Sequence, residues 1–167
     1  IFAGTLRHSG EIQATSVQME GGKVVLRAVG AATVDGRIQA RGTGGQGGKV
    51  AITGHDVDLG VGARIDADAS GNADGGRVIV MADMDSGTTR FAGRISARGG
   101  EQGGNGGFVE TSGAKLKIAD TARVRASGPK GLTGTWLLDP TDFTVGSGPS
   151  DNISGATLSM MLNGDGG

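Results

Sequence analysis

A pair of small residues, usually Gly-Gly, precedes a short apolar strand pattern at five places along the chain, and these places are almost evenly spaced. The copies lie at residues 21–26, 47–52, 75–80, 106–111 and, in a more diverged form, 133–138. Their second glycines are 26, 28, 31 and 27 positions apart. A period of this length, filled with strand and turn signals and without a helical pattern, is typical of a solenoid.

A second set of positions repeats with the same period. Branched aliphatic residues recur every 26 to 30 positions, each followed two positions later by alanine; the pairs are Ile12/Ala14, Ile38/Ala40, Ile65/Ala67, Ile95/Ala97 and Val124/Ala126. Residues two apart in a strand point to the same side. We therefore predict that both columns face inward and that the alanines mark a narrow interior.

A third column precedes the second by four to six residues and consists of Leu6, Val34, Leu59, Phe91 and Ile118, with Val145 starting another round. Three strands per repeat of about 28 residues, joined by glycine-rich corners, predict an all-β chain folded as a parallel β-helix of five to six coils. The coils are expected to occupy residues 1–142. Residues 143–167 are expected to form the end of the helix, a capping segment or the start of another module.

The carboxy-terminal segment contains one helical pattern. Ser154 is a suitable N-cap, residues 158, 161 and 162 are apolar, and Gly164 could end the helix. Elsewhere glycine supplies 35 of 167 residues, yet aliphatic residues are frequent enough to form a core. There is no cysteine and no long apolar segment. Because the repeat is already under way at the first residue, we expect the chain to be a fragment of a longer protein.

Several motifs resemble filamentous-haemagglutinin-type exoproteins, the large adhesins of Gram-negative two-partner secretion. They are the Gly-Gly strands, the Gly-x-Ile-x-Ala elements at 10–14, 36–40 and 93–97, the Phe-Val-Glu-Thr-Ser-Gly stretch at 108–113 and, most specifically, residues 135–145. The resemblance covers roughly residues 1–145. It implies a right-handed parallel β-helix that is exported through an outer-membrane transporter and displayed or released as a fibre. Within that family, this piece is expected to be shaft.

The outward positions around the Ile-Ala strands are rich in arginine. Seven arginines face three acids, Glu11, Asp66 and Asp68; the arginines are Arg37, Arg41, Arg64, Arg94, Arg98, Arg123 and Arg125. Arginines stacked about 5 Å apart repel one another unless counter-ions or an anionic partner separate them. The stripe therefore indicates a binding face for an acidic polysaccharide, with a merely solvated surface as the favoured alternative. Nucleic acid is not expected, because aromatic stacking residues are scarce.

Catalytic and metal sites were considered because enzymes also adopt this fold. Asp66 and Asp68 form the best carboxylate pair, but the preferred interpretation is that they are solvent-exposed surface residues without a catalytic role. His8 and His55 have no evident serine or carboxylate partner in register, so no catalytic residue and no cofactor are expected. Four aspartates follow the Gly-Gly strands at similar offsets and form a weak calcium candidate, although no complete ligand set is apparent; they are Asp56, Asp83, Asp85 and Asp142.

The sequence thus predicts a structural shaft of a secreted adhesin on the outer surface of a Gram-negative bacterium. The alternatives are a β-helical stalk for contact-dependent toxin delivery and, third, a polysaccharide-acting enzyme. The expected partners are the outer-membrane transporter during export, a host-cell or matrix glycan or protein or a bacterial exopolysaccharide, and flanking coils of the same chain. Insertion into a membrane is not expected.

Overall fold

The computed structural model describes residues 1–16, 21–42 and 44–163. Within them the chain forms sixteen strands and one helix. The strands are β1 (Phe2–Ala3), β2 (Leu6–His8), β3 (Glu11–Ser16), β4 (Lys23–Ala28), β5 (Ala31–Val34), β6 (Arg37–Gly42), β7 (Lys49–Thr53), β8 (Asp56–Leu59), β9 (Arg64–Asp66), β10 (Arg77–Met81), β11 (Thr88–Phe91), β12 (Arg94–Ser96), β13 (Phe108–Gly113), β14 (Lys115–Ile118), β15 (Arg123–Arg125) and β16 (Thr135–Pro140); the helix is α1 (Gly155–Leu162).

The strands form three parallel sheets that wind around one core. Sheet A has the order β1-β4-β7-β10-β13-β16, sheet B has β2-β5-β8-β11-β14, and sheet C has β3-β6-β9-β12-β15. Each strand pairs with its equivalent one turn away, which confirms a parallel β-solenoid of about five turns with about 27 residues per turn. All five Gly-Gly strands fall in sheet A, where the repeat predicts them.

Sheet A stacks its inward residues on their equivalents. Val24, Val50, Val78, Val109 and Trp136 occupy one column, as the spacing predicts. Trp136 accommodates its larger ring by packing edge-on against Phe91, with ring centroids 6.5 Å apart, and its indole Nε1 donates to Thr111 Oγ1 at 3.1 Å. The indole N–H, a polar group that valine does not have, thereby gains a hydrogen-bond partner.

Sheet C contains the predicted Ile-Ala columns in register. Ile12, Ile38, Ile65, Ile95 and Val124 are successive Cα partners. Ala40, Ala67 and Ala97 are fully buried, whereas Ala14 and Ala126 are half-buried in the two terminal coils. The alanine column therefore faces inward, as predicted, and is closed to solvent in the middle coils and open towards the ends.

Sheet B corrects one predicted column. Val34, Leu59, Phe91 and Ile118 are aligned, but the residue of β2 at their level is His8, while Leu6 pairs with Ala32. Leu6 still faces inward because it lies two residues before His8 on the same side of the strand. It belongs to a further inward column that the repeat did not predict, consisting of Leu6, Ala32, Val57, Thr89 and Leu116.

The Gly-Gly corner brings backbones of successive turns too close for side chains. A Cβ atom built on Gly76 would collide with the carbonyl oxygen of Gly48, and one built on Gly107 would collide with that of Gly76. The glycines are thus required by the close approach of successive turns and not by a positive φ angle. This requirement explains why the pair recurs once per coil.

The coils end differently from the prediction at Val145. That residue is 48% exposed, and the core position beyond sheet B is taken by Ile153, which is 2% exposed. The preceding Asn152 accepts the Ile118 amide through its backbone oxygen at 2.7 Å. Helix α1 then begins after the predicted N-cap Ser154 and ends at Leu162, with Asn163 as its C-cap; Gly164, predicted to end it, lies outside the described residues. In the described part of the chain, no helix has the length and apolarity needed to cross a lipid bilayer.

Candidate functional site

The arginine stripe separates into columns on the outer face of sheet C. Arg37, Arg64, Arg94 and Arg123 are successive Cα partners, and they form what we call the arginine ladder. Glu11 of β3 precedes them in the same column. In each Ile-Ala strand the first residue directly precedes the buried aliphatic residue. Because side chains alternate along a strand, this first residue points outward, and it is an arginine in four successive coils.

Backbone carbonyls hold two of the ladder guanidinium groups. Arg64 Nη1 donates to the carbonyl oxygens of Val61 and Ala63 at 2.8 and 2.9 Å. Arg123 Nη1 donates to those of Asp120 and Ala122, both at 2.7 Å. Each arginine therefore caps the corner that precedes its own strand. The remaining N–H groups of these guanidinium groups are left to solvent or a ligand.

The other two ladder residues have little or no neutralisation. Arg37 Nε lies 4.0 Å from Glu11 Oε1, and both side chains are more than half exposed, so this ion pair contributes little. Arg94 makes no side-chain hydrogen bond or ion pair within the described residues. The ladder consequently carries a net positive charge along four successive coils.

The remaining arginines of the stripe lie beside the ladder, together with the two aspartates. Arg41 Nη2 contacts Asp66 Oδ2 at 2.6 Å. Asp68 Oδ1 accepts Ser96 Oγ at 2.5 Å and the half-buried Arg98's amide at 2.7 Å. Arg125 lies at the level of Ser96. Asp66 and Asp68 are thus both bonded to groups of neighbouring coils.

A groove of about 390 Å³ runs across this face. It is lined by the four ladder arginines together with Asp66, Asp68, Ser96 and Arg125, and its floor includes Ile65 and Ile95. The ladder side of the groove is cationic, and the other side contains the Ser96 hydroxyl, the carboxylates of Asp66 and Asp68 and the Arg125 guanidinium. Such a surface attracts anions over a range that salt screens.

The structure corrects the expectation that His55 has no serine or carboxylate partner in register. His55 Nδ1 lies 3.3 Å from Asp56 Oδ2, and its Nε2 lies 3.3 Å from Ser86 Oγ of the following coil. Ser86 Oγ, however, donates to Asp83 Oδ1 at 3.0 Å. His55 and Asp83 thus both lie within hydrogen-bond distance of the Ser86 hydroxyl, and these contacts join the corners of two successive coils. The other histidine, His8, contacts the Arg37 carbonyl oxygen through Nε2 at 3.2 Å.

Hydrogen bonds engage two of the four aspartates of the calcium candidate, Asp56 and Asp83. The Thr88 amide donates to Asp56 and lowers the pKa of its carboxyl group. The Ser86 hydroxyl and amide do the same for the pKa of Asp83. Asp85 and Asp142 are exposed and line one groove, and the Asp85 amide also donates to Asp83 Oδ1 at 3.1 Å. Among the residues that the structure describes, no three His, Cys, Asp or Glu side chains are grouped as metal ligands.

Comparisons with known proteins give one informative similarity. No protein-family model matches the chain, and no curated protein matches it in sequence. Among solved structures, the chain is similar to the HMW1 secretion domain from Haemophilus influenzae, with a TM-score of 0.55 and 30% identity over 83% of this chain. The match covers 45% of that domain, so the chain spans less than half of its length. The likeness supports the coarser class, a β-helix of the two-partner-secretion exoprotein kind. It does not show that the chain is a shaft segment of a filamentous-haemagglutinin-type adhesin.

Proposed function

We propose that this chain is a structural segment of a secreted adhesin, a rod that holds binding regions away from the bacterial surface. The observation that carries the proposal is the uninterrupted register of all three sheets through five coils. Such stacking makes each coil a support for the next, and the rod can be lengthened without a change of core. Attachment to cells, matrix or other bacteria is the role that this architecture would serve.

Secretion is supported by the similarity to the HMW1 secretion domain. By analogy, the partner during export is an outer-membrane transporter of the two-partner type, and the destination is the outer surface or the medium. The described core also fits passage as an unfolded chain, because there is no cysteine to form a disulfide beforehand and the coils can fold successively on a neighbouring coil.

The same similarity favours a second candidate function, in which this segment belongs to the export region itself and not to the shaft. A shaft segment needs a separate export region for its secretion, whereas an export region directs its own secretion and that of the segments attached to it. The two candidates therefore predict different results when the position of this segment is changed.

The test places the chain in two secreted fusions, each expressed with and without a two-partner transporter. In one fusion the chain follows an established secretion domain, and in the other it directly follows a signal peptide. The shaft predicts transporter-dependent export from the first fusion alone. Export from the second fusion would favour the export-region candidate, and failure of both would contradict secretion by this route.

Adhesion is tested separately with beads that carry the purified chain or a full-length secreted parent. A rod predicts that the parent binds cells while the isolated segment contributes reach and not receptor binding by itself. A toxin stalk makes the same demands on these coils, so a growth-inhibition assay with the parent distinguishes it from an adhesin. We also expect no turnover of polysaccharides, which a panel of polyuronates and neutral glycans would check.

A further inference from the structure

We propose that the arginine ladder and its groove bind a linear polyuronate, a polysaccharide with one carboxylate per sugar, lying along the solenoid axis. This ligand deepens the proposed function, on which it rests for its extracellular setting. The binding itself is a property of the folded chain and can be measured without export.

The first argument is the spacing of the charges. Neighbouring strands in a sheet lie about 4.8 Å apart, and the four ladder residues are successive Cα partners. The ladder therefore presents one cation per coil at that interval. A hexuronate in an extended chain advances by a similar distance per sugar, so a chain along the axis places its sugars at the interval of the guanidinium groups. Arginine suits this contact because its planar fork can bind a carboxylate through two parallel hydrogen bonds.

The second argument is preorganisation. The backbone bonds of Arg64 and Arg123 fix both guanidinium groups before any ligand arrives. A fixed side chain loses less conformational entropy on binding than a mobile one. Arg94 lies between them, and it makes no competing ion pair within the described residues.

The third argument concerns selectivity for moderate charge density. Asp66 and Asp68 line the far side of the same groove. Asp66 pairs with Arg41, whereas Asp68 accepts hydrogen bonds from the Ser96 hydroxyl and the Arg98 amide. A polymer with several sulfates per sugar would bring negative groups close to these aspartates, whereas a polyuronate can present its hydroxyl groups on that side. Repulsion of the polymer with the higher charge density thus increases the selectivity for the polyuronate.

The experiment measures binding of galacturonate oligomers of two to eight sugars to the purified chain at low salt. We expect affinity to rise up to four sugars, one for each ladder arginine, and then to level off. The double variant R64Q/R94Q should lose at least about tenfold in affinity. The single variant Arg94→Lys should lose less, because lysine keeps the charge without the bidentate fork.

The matched control is K23Q/K49Q, which makes the same change in net charge on the outer face of sheet A. It should bind within about twofold of the parent, and thermal melts should show that all variants stay folded. Equal losses in both double variants, an affinity without length dependence, equal binding of a sulfated polymer or no binding at all would each overturn the proposal. Because none of these outcomes involves export, they would leave the proposed function standing.

Discussion

The repeating coils and the segment that follows them, residues 141–163, are stabilised in different ways. In the coils each inward residue packs on its equivalent one turn away, so the same apolar contacts recur in all three sheets. In the final segment Ile153 continues one inward column, but the side-chain hydrogen bonds that hold the segment have no equivalent one turn away. The difference shows that a periodic core contains the same contacts many times, so that no single contact decides its stability. A closing segment that occurs once depends on a small number of individual hydrogen bonds.

Three side chains hold the closing segment. Asn152 Nδ2 donates to the Leu116 carbonyl oxygen at 2.8 Å, and its Oδ1 accepts the Thr144 amide at 2.6 Å. Lys117 Nζ donates to two carbonyl oxygens of the loop before Asn152. Asp120 accepts the hydroxyl groups of Ser154 and Thr157 at 2.5 and 2.6 Å and so fixes the start of α1. The segment covers the end of sheet B, where Ile153 joins the core.

The largest effect is expected from the glycine corner of the coils. In Gly107→Ala the new Cβ would collide with the Gly76 carbonyl oxygen, and backbone must move on both turns. We expect a loss of unfolding free energy of about 3 kcal/mol or more. Gly10→Ala is the matched control, because no atom lies within 4 Å of its Cβ position. Chemical denaturation compares the two, and equal stabilities would show that the corner is looser than described.

A smaller loss is expected from the alanine column. Ala97→Leu overpacks a fully buried position and should cost about 1–3 kcal/mol, again by denaturation. The control is Ala126→Leu at the same position of the next coil, which is half-buried at the open end and should cost less. A reversed order would mean that the interior is wider in the middle than at the end.

In the closing segment, Asn152→Ala should have a local effect. It leaves the Leu116 carbonyl and the Thr144 amide without their partner, which typically costs about 1–3 kcal/mol. Hydrogen exchange should quicken across residues 144–158 and stay unchanged in β4 and β7. Asn163→Ala, which removes only an exposed 3.3 Å contact with Ser159, should alter neither region. Faster exchange throughout the coils would contradict the independence of the two regions.

The smallest effect is the pH dependence of the same segment. Hydrogen bonds from the Ser154 and Thr157 side chains lower the pKa of Asp120 below its ordinary value. Its contribution is therefore complete above the unfolded pKa of about 4 and is lost as the pH falls through the lower folded value. Protection of α1 should fall below pH 4 in the parent and vary less in Asp120→Asn. Identical profiles would remove Asp120 from this role.

The coils were largely predictable because their contacts recur at a constant period and alternate along each strand. The error at Leu6 has a local cause. The corner after Val34 is two residues shorter than the one after Leu59, so an aliphatic six positions before Ile12 could be assigned to either inward level. Pairing selects His8 for the level of Val34.

The closing segment and the His55 contacts were not predictable in the same way. Val145 has the residue type and spacing of the third column, and only the tertiary hydrogen bonds of Asn152 place Ile153 there instead. The contact of Ser86 with His55 was not evident because their corners, residues 82–87 and 54–55, differ in length and cannot be aligned by spacing. The arginines of the candidate site were predicted individually, but the hydrogen bonds and ion pairs that hold some of them depend on contacts that spacing does not reveal.

Disulfide formation tests the in-register ladder most directly, because the chain has no cysteine of its own. Arg64 and Arg94 are Cα partners, and adjacent parallel strands about 4.8 Å apart fall within the range that a disulfide spans. R64C/R94C should therefore close an intramolecular disulfide in the folded protein under mild oxidation, while the offset pair R64C/S96C should not. Closure of the offset pair, or failure of the in-register pair, would contradict the residue-on-residue stacking on which both the rod and its binding face depend.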